Sequence, residues 1–303
     1  MKSYKEIMNS SSTEGFLREL SEKELTKLKE TLLEAYKNIY EICSNNGLHV
    51  MLIGGSLLGA IRHNGFIPWD DDLDLAISRN DFEKLKKIFD KEFCEKYELI
   101  APNHKDSSNE RFPQILIRNT RLTTIENLKD SVRKEIRIDL FIIENIPNNK
   151  IYRYLKGLFC TVLMFIAGQV QTYECNNTYL KKFISQTPSG AKYYKRRLMI
   201  GKFFSFFNTC KWFNLVDKYV QYQKESSLSG IPTGRKHYFG EILPTKVFFP
   251  TIKGTFENCE ANIPNGYVEY LENLYGNYMQ IPPIEKREKH FICDICFNTM
   301  QEK

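Results

Sequence analysis

The sequence predicts an α/β (α+β) protein in which helices flank a mixed sheet and a mostly helical lobe is inserted. Helix-like and strand-like patterns alternate between residues 21 and 143, which is typical of a mixed sheet with helices against it. Few strand patterns occur between 151 and 229, so that stretch is predicted to be helical. The 303 residues, 42% of them hydrophobic, are enough to form a sizeable core.

The alternating part opens with a long helix predicted for Ser21–Asn45. Ser21 and Glu24 have the spacing of a capping box, and apolar residues recur at helical intervals after them. The elements predicted next are a strand over His49–Ile53, a helix over Leu57–Arg62, a strand over Leu73–Ile77, a helix over Asp81–Tyr97, and strands over Glu98–Ala101, Gln114–Arg118, Leu122–Glu126 and Ile136–Ile143.

Changes of composition divide the chain into four predicted parts. They are an N-terminal helical segment (1–47), a catalytic core (48–150), an aromatic-rich helical lobe (151–229) and a C-terminal segment that completes the site (230–303). The last part is rich in Pro and Gly up to Pro264. A closing helix is then predicted over Tyr267–Met279, stopped by Pro282 and Pro283.

The location of the protein is predicted to be cytoplasmic. Residues 1–12 are polar and contain no apolar signal-peptide core, and the eight cysteines have the irregular spacing of reduced thiols. Gly157–Ala167 is uncharged and apolar but shorter than the ~20 residues that a spanning helix needs. Two interpretations stay open for it: a buried core helix, or peripheral contact with the inner face of a membrane.

The net charge of +6 is modest. It suits a protein that handles anionic substrates or lies near anionic lipid, and a general solubility surplus explains it equally well. It does not indicate nucleic-acid binding.

The densest chemical signal is the run Asp70, Asp71, Asp72 and Asp74. Residues two apart in a strand point to the same face, so Asp72 and Asp74 are expected to lie side by side. Two close carboxylates repel each other unless a cation lies between them, and their hard oxygens favour Mg²⁺ or Mn²⁺. The alternative, a solvated acidic loop, is disfavoured because apolar residues such as Leu73 alternate with the acids. Asp70 and Asp71 are expected to form caps or hydrogen bonds, with Asp70 also a candidate outer ligand.

The turn Gly54-Gly55-Ser56, between a predicted strand and a helix, suits a phosphate group. Glycines allow close approach of the backbone, and a helix amino terminus offers free N–H groups. Alone, such a turn is often only a tight turn. Its place shortly before the aspartate strand strengthens the prediction of a phosphate site.

Asp139 is an acid between apolar neighbours in the predicted strand Ile136–Ile143. Such a residue either pairs with a buried base or joins a metal site. Phosphoryl-transfer sites use a third carboxylate as a metal ligand or as a base for the attacking hydroxyl. Asp139 is therefore the candidate third acid.

Residues Ile53 to Asp74 (IGGSLLGAIRHNGFIPWDDDLD) resemble the signature of the LicD-type phosphotransferases, whose relatives include the fukutins. The run from Gly266 to Arg287 (GYVEYLENLYGNYMQIPPIEKR) resembles the end of that family, whereas 151–229 is not covered. The resemblance implies a nucleotidyltransferase-like fold. It also implies that Asp72 and Asp74 hold Mg²⁺, with Asp139 as the third acid, although the family often has Ile where Leu140 follows.

The resemblance further implies how a donor is bound. Gly54, Gly55 and Ser56 are expected to meet its phosphates. Arg62, which lies in the signature, is expected to neutralise phosphate or to pair with the aspartate run.

Other basic side chains are suggested by their positions alone. Arg118 and Arg121 flank a predicted turn and could reach the donor phosphates, with surface charge as the alternative. Lys286, Arg287 and His290 follow the two prolines and are either donor or acceptor contacts or ordinary surface residues.

The activity implied by the resemblance is transfer of a phospho-alcohol from a CDP-linked donor, such as CDP-choline or a CDP-polyol, with release of CMP. The acceptor is expected to be a hydroxyl of a cell-surface glycan, as in lipopolysaccharide, teichoic acid or capsule, or of its lipid-linked precursor. Two alternatives stay open. One is a nucleotidyltransferase that uses a nucleoside triphosphate and releases pyrophosphate, and the other is a non-catalytic glycan-binding protein.

Overall fold

A computed structural model describes residues 17–93, 95–105, 109–129, 132–287 and 291–302. The helices of this part are α1 (Glu22–Asn45), α2 (Gly54–His63), α3 (Arg79–Phe93), α4 (Lys150–Glu174), α5 (Thr178–Ile184), α6 (Pro188–Phe204), α7 (Thr209–Val220), α8 (His237–Gly240), α9 (Thr245–Phe248) and α10 (Tyr267–Tyr275). The strands are β1 (Met51–Leu52), β2 (Asp74–Ser78), β3 (Tyr97–Ile100), β4 (Gln114–Ile117), β5 (Arg121–Thr124), β6 (Arg137–Ile146), β7 (Leu228–Gly230), β8 (Leu243–Pro244), β9 (Ile252–Phe256), β10 (Cys259–Ile263) and β11 (Ile292–Cys296).

A mixed sheet with the strand order β1-β2-β6-β4-β3 forms the centre of the molecule. Strands β2 and β6 are parallel, and β1 with β2, β6 with β4, and β4 with β3 are antiparallel. The later half of β6 pairs with β7, which in turn pairs with β8. Two small sheets join β9 with β10 and β5 with β11. The predicted α/β class is confirmed.

The first helix forms as its sequence predicts. The hydroxyl of Ser21 accepts a hydrogen bond from the N–H of Glu24, and the Glu24 carboxylate accepts one from the N–H of Ser21. This capping box satisfies donors that the first turn leaves unpaired. On the inner face of α1, Leu28, Leu32 and Ile39 are buried in the main apolar core.

Three helix boundaries differ from the predictions. Helix α2 begins at Gly54 rather than Leu57, because extended Ile53 is its cap and both glycines join the first turn. Helix α3 ends at Phe93, and Tyr97 instead begins β3, where it pairs with Ile117. Helix α10 ends at Tyr275, because Gly276 has a φ of 69° that ends the helix before the two prolines.

Helices α4 to α7 lie in the chain between β6 and β7, which pair with each other. Helices α4 and α7 share an apolar core, in which Cys160, Val170, Trp212 and Phe213 are buried, whereas α5 and α6 contribute Leu180, Phe183, Ile184 and Tyr194 to a separate cluster. The predicted lobe at 151–229 is thus largely helical in the structure, and its status as a separate domain stays a prediction.

Within the described residues, α4 is the helix long and apolar enough to cross a membrane, by length and composition alone. Only 28% of its most apolar stretch is buried inside the protein. Cys160 and Leu163 in the segment 157–167 are buried, whereas Leu158 and Val162 are exposed. A buried core helix therefore accounts for only one face of this segment.

Candidate active site

A cavity of about 340 Å³ opens where the start of β2 and the amino end of α2 meet the C-terminal part of the chain. Asp72 and Asp74 line it, together with Tyr275, Lys286 and Arg287. The segment that follows α10 thus forms a wall of this cavity. Two distant parts of the chain, the aspartate run and the closing segment, build one site.

Asp74 and Asp139 are brought together by the sheet. They occupy facing positions of the parallel pair β2 and β6, and the N–H of Asp139 donates to the carbonyl oxygen of Leu73. Asp139 lies on the same face of β6 as Phe141, which lines the cavity. Strand β2 begins at Asp74, and Asp72 lies just before it. Only one residue of the predicted side-by-side pair is therefore within the strand.

The backbone of the glycine turn lies very close to the side chains of Asp74 and Asp70. Gly54 has a φ of 55°, and a Cβ on it would lie 2.6 Å from Oδ2 of Asp74. A Cβ on Gly55 would lie 2.9 Å from Oδ2 of Asp70. The N–H of Gly55 donates to Oδ2 of Asp74 over 3.1 Å. Only glycine provides both the backbone conformation and the space at position 54.

Ser56 has a different position from the two glycines. Its side chain is buried, and its hydroxyl accepts a hydrogen bond of 2.8 Å from the N–H of Asp74. Gly54 and Gly55 line the cavity, whereas Ser56 holds the start of β2 against α2. A direct contact between its hydroxyl and a donor phosphate stays a prediction.

The buried carboxyl groups of this cluster have raised pKa values, partly because of their mutual repulsion. Burial, followed by the charges of Asp70 and Asp74, raises the pKa of Asp72 well above its ordinary value. Burial and the charges of Asp139 and Asp70 raise the pKa of Asp74 to about 8, against the opposing hydrogen bond from Gly55. Burial also raises the pKa of Asp139. Without a cation, this cluster therefore retains protons at neutral pH.

The donor set fits a hard divalent cation. Carboxylate oxygens of Asp70, Asp71 and Asp72 lie within 4.8 Å of one another, with Asp74 beside them. Mutual repulsion of carboxylates in a recess is the situation that Mg²⁺ or Mn²⁺ relieves, since both ions prefer oxygen ligands. The assignment of Asp72, Asp74 and Asp139 as ligands remains a prediction; the geometry supports Asp70, the candidate outer ligand, and adds Asp71.

Cationic side chains also line this cavity. The guanidinium of Arg287 is 4.0 Å from the centroid of the Trp69 ring. Arg62 donates from Nη1 to the carbonyl oxygen of Tyr278 over 2.8 Å and from Nε to Nε2 of His63. Arg235, which sequence reasoning missed, lines the cavity and lies 5.4 Å from the Tyr275 ring. Acids and cations thus line one cavity, a combination that suits a diphosphate bound together with a divalent cation.

Other predicted contacts lie elsewhere. Arg118 forms an ion pair of 3.2 Å with Glu98, and Arg121 forms one of 2.8 Å with Asp294. Both are away from the cavity lining, so the structure does not support their expected reach to donor phosphates. His290 is outside the described residues.

Gln114 is the most informative residue that sequence reasoning missed. It faces Asp139 across β4 and β6, and its Nε2 donates to Oδ1 of Asp139 over 2.9 Å. Its Oε1 is buried and has no partner within the described structure. Nearby Arg111 is largely enclosed and forms no ion pair with any described residue, and its charge lowers the pKa of Asp139. The sequence signal that could have identified Gln114 is a polar amide at the start of the apolar strand Gln114–Ile117.

Comparisons with known proteins find relatives of this chain. Residues 47–153 match the family model described as LicD/FKTN/FKRP, nucleotidyltransferase domain. The lipopolysaccharide cholinephosphotransferase LicD of Haemophilus influenzae is 27% identical over 277 residues, which is 89% of this chain and 97% of that protein. The human ribitol 5-phosphate transferase FKRP is 39% identical over 57 residues, 19% of this chain and 12% of that protein. An uncharacterised protein of Rickettsia prowazekii is 40% identical over 58 residues, 19% of this chain and 22% of that protein.

The sheet, the acidic cavity and these similarities define an enzyme of the phosphotransferase class. Residues 47–153 are similar to the nucleotidyltransferase domain of the LicD family, and most of the chain is similar to a member of that family.

Proposed function

We propose that this enzyme transfers a phospho-alcohol, phosphocholine or a polyol phosphate, from a CDP-linked donor to a hydroxyl of a cell-surface glycan or its lipid-linked precursor. CMP is the second product, and Mg²⁺ or Mn²⁺ is the cofactor. The observation that carries the proposal is the facing pair Asp74 and Asp139 beside a cavity lined by both acids and cations. The long similarity to a cholinephosphotransferase supports the choice of transferred group.

Donor binding follows from the residues that line the cavity. The diphosphate lies between the amino end of α2, with Gly54 and Gly55, and the guanidinium groups of Arg62 and Arg287. Asp72 and Asp74, with Asp70 beside them, hold the divalent cation. When bound, that ion neutralises charge on the diphosphate and on the departing CMP.

The transfer step is an in-line displacement. An acceptor hydroxyl attacks the phosphorus that carries the alcohol, a new P–O bond forms, and the P–O bond to CMP breaks. The hydroxyl proton passes to Asp139. Oδ1 of Asp139 already accepts the amide of Gln114, so Oδ2 is the atom that takes the proton.

The first test is thermal unfolding with Mg²⁺ and each of CDP-choline, CDP-ribitol, CDP-glycerol and CTP. A ligand at a hundred times its dissociation constant stabilises the folded state by ~2.7 kcal/mol, which is readily measured. We expect Mg²⁺-dependent stabilisation by one CDP-alcohol, followed by CMP release when a glycan acceptor is added. Stabilisation by CTP alone, with release of pyrophosphate, would instead favour the nucleotidyltransferase alternative that the family's domain description leaves open.

A further inference from the structure

Helix α4 exposes a stripe of large apolar side chains along its length. Ile151, Leu155, Leu158, Val162 and Phe165 are between 45% and 73% exposed. Their spacings of four and three residues place them on one helix face. Single exposed apolar residues are ordinary, but a continuous stripe of this length marks an interaction surface.

The opposite face of α4 is fixed to the protein. Cys160 and Leu163 are buried against the other helices of the lobe. The amine of Lys156 donates to the carbonyl oxygens of Tyr219 and Gln221 in and beyond α7. The guanidinium of Arg197 in α6 donates to the carbonyl oxygen of Gly168. Helix α4 therefore lies along the lobe, with neighbours on one side and solvent on the other.

The stripe continues onto α7. The ring of Phe159 is 4.5 Å from the ring of Tyr219, and both side chains are partly exposed. One turn back along α7, Leu215 lies with Lys211 and Lys218 around a shallow surface depression. Apolar and basic side chains thus alternate along the exposed edge of α7.

The lobe has a charge opposite to that of the rest of the chain. Residues 151–229 contain twelve Lys and Arg against three Asp and Glu, a net charge of +9. The remaining residues contain 31 basic and 34 acidic side chains, a net charge of −3. A face that is both apolar and flanked by positive charge is complementary to an anionic lipid surface.

We propose that the exposed face of α4, together with the adjoining edge of α7, docks peripherally on a membrane of anionic phospholipid. The helix lies parallel to the membrane with its apolar stripe at the boundary of headgroups and acyl chains, and Lys211 and Lys218 meet lipid phosphates. The packing of α4 against α6 and α7 on its other face is incompatible with a helix surrounded by lipid. This docking does not depend on the proposed reaction. Strand β6, which carries Asp139, is followed directly in the chain by α4. If the acceptor is lipid-linked, docking of α4 would therefore hold the active site near the membrane that contains the acceptor.

Vesicle flotation tests the proposal without donor or acceptor. We expect the full chain to float with phosphatidylcholine vesicles that contain about 30 mol% phosphatidylglycerol, and to bind pure phosphatidylcholine less tightly. Leu155→Ser with Leu158→Ser and Val162→Ser is expected to weaken binding at least about tenfold. The matched control, Val268→Ser with Met300→Ser, removes exposed apolar side chains elsewhere and should bind like wild type.

A second variant tests the basic side chains on the exposed edge of α7. Lys211→Gln with Lys218→Gln is expected to reduce the preference for the anionic vesicles, whereas Lys84→Gln with Lys91→Gln in α3 should leave it unchanged. Thermal unfolding checks that every variant is folded. Failure of the wild type to bind either vesicle, or wild-type binding by the α4 triple variant, would overturn the proposal. So would a dimer in vesicle-free solution that the triple variant converts to monomer, because the occupant would then be a second copy of the chain.

Discussion

Asp74 and Asp139 face each other across the parallel strands β2 and β6, and each raises the cost of ionising the other. Such a pair is unfavourable for the fold and is expected to persist because it serves the reaction. We predict that Asp74→Asn and Asp139→Asn each lower kcat by about a thousandfold or more, because both remove charge from the reacting centre. The metal-free variants should unfold at the wild-type temperature or above it, since a neutral amide replaces a buried acid whose ionisation is unfavourable.

The control for that pair is Asp90→Asn, which alters an exposed acid on α3 that pairs with Lys105. It should leave turnover unchanged. Near wild-type turnover by folded Asp74→Asn or Asp139→Asn would contradict the proposed mechanism.

The affinity for Mg²⁺ is predicted to rise with pH. The pKa of Asp74 is raised from 3.8 to about 8, so between these values the unfolded chain has lost a proton that the folded chain keeps. The free energy of unfolding of the metal-free protein therefore falls as pH rises through this window. Binding of the cation displaces the proton, so affinity should increase by up to about tenfold per pH unit for one proton.

Titration calorimetry with Mg²⁺ at several pH values between 6 and 8.5 measures this effect. Buffers of different ionisation enthalpy should reveal proton release in the wild type, and less of it in Asp74→Asn. Equal affinity at both ends of the range would show that the cation does not compete with a proton at this cluster.

The parts of the site that are close in sequence were predictable, because local spacing defines them. The glycine turn and the aspartate run both line the cavity, and the acid between Ile138 and Leu140 proved to face Asp74. Gln114 could not be found in this way, since its contact with Asp139 depends on how β4 pairs with β6.

Strand direction also explains the position of Arg118. Strand β4 runs antiparallel to β6, so its first residue, Gln114, meets Asp139, and Arg118 at the other end meets Glu98. The boundary of α3 failed for a related reason. Tyr97 continues the apolar pattern of the helix, and only its pairing with Ile117 shows that it belongs to a strand.

The space at Gly54 can be tested separately from its backbone conformation. Gly54 and Gly47 both have positive φ, but a Cβ on Gly47 would meet no atom within 4 Å. Gly47→Ala is therefore predicted to lower the free energy of unfolding by about 1–2 kcal/mol without changing turnover. Gly54→Ala should show a similar or larger loss of stability and in addition lose about a hundredfold in kcat, because Asp74 is displaced. Thermal unfolding and steady-state kinetics distinguish the two, and equal turnover would exclude a role for the close approach.

The amide of Gln114 is predicted to position Asp139. Gln114→Leu should lower kcat by about ten- to a hundredfold, as expected when a hydrogen-bond partner of a catalytic group is lost. KM for the donor should change little, because Gln114 does not line the donor cavity. Gln171→Leu is the matched control, since its amide donates over 2.9 Å to the carbonyl oxygen of Asn109 away from the site. A change in KM without a change in kcat would assign Gln114 to donor binding instead.

The helical lobe is predicted to depend on one buried ion network. Arg79 in α3 donates to Glu144 in β6 and, over 2.7 Å, to Asp217 in α7. Arg79→Met leaves two enclosed carboxylates without their cation and should lower the free energy of unfolding by about 3–5 kcal/mol. Arg133→Met is the comparison, because Arg133 pairs with Glu98 and Glu135 at an exposed position and should cost at most about 1 kcal/mol. Denaturant unfolding measures both values. Equal losses would mean that water reaches the Arg79 network and that apolar contacts alone hold the lobe to the sheet.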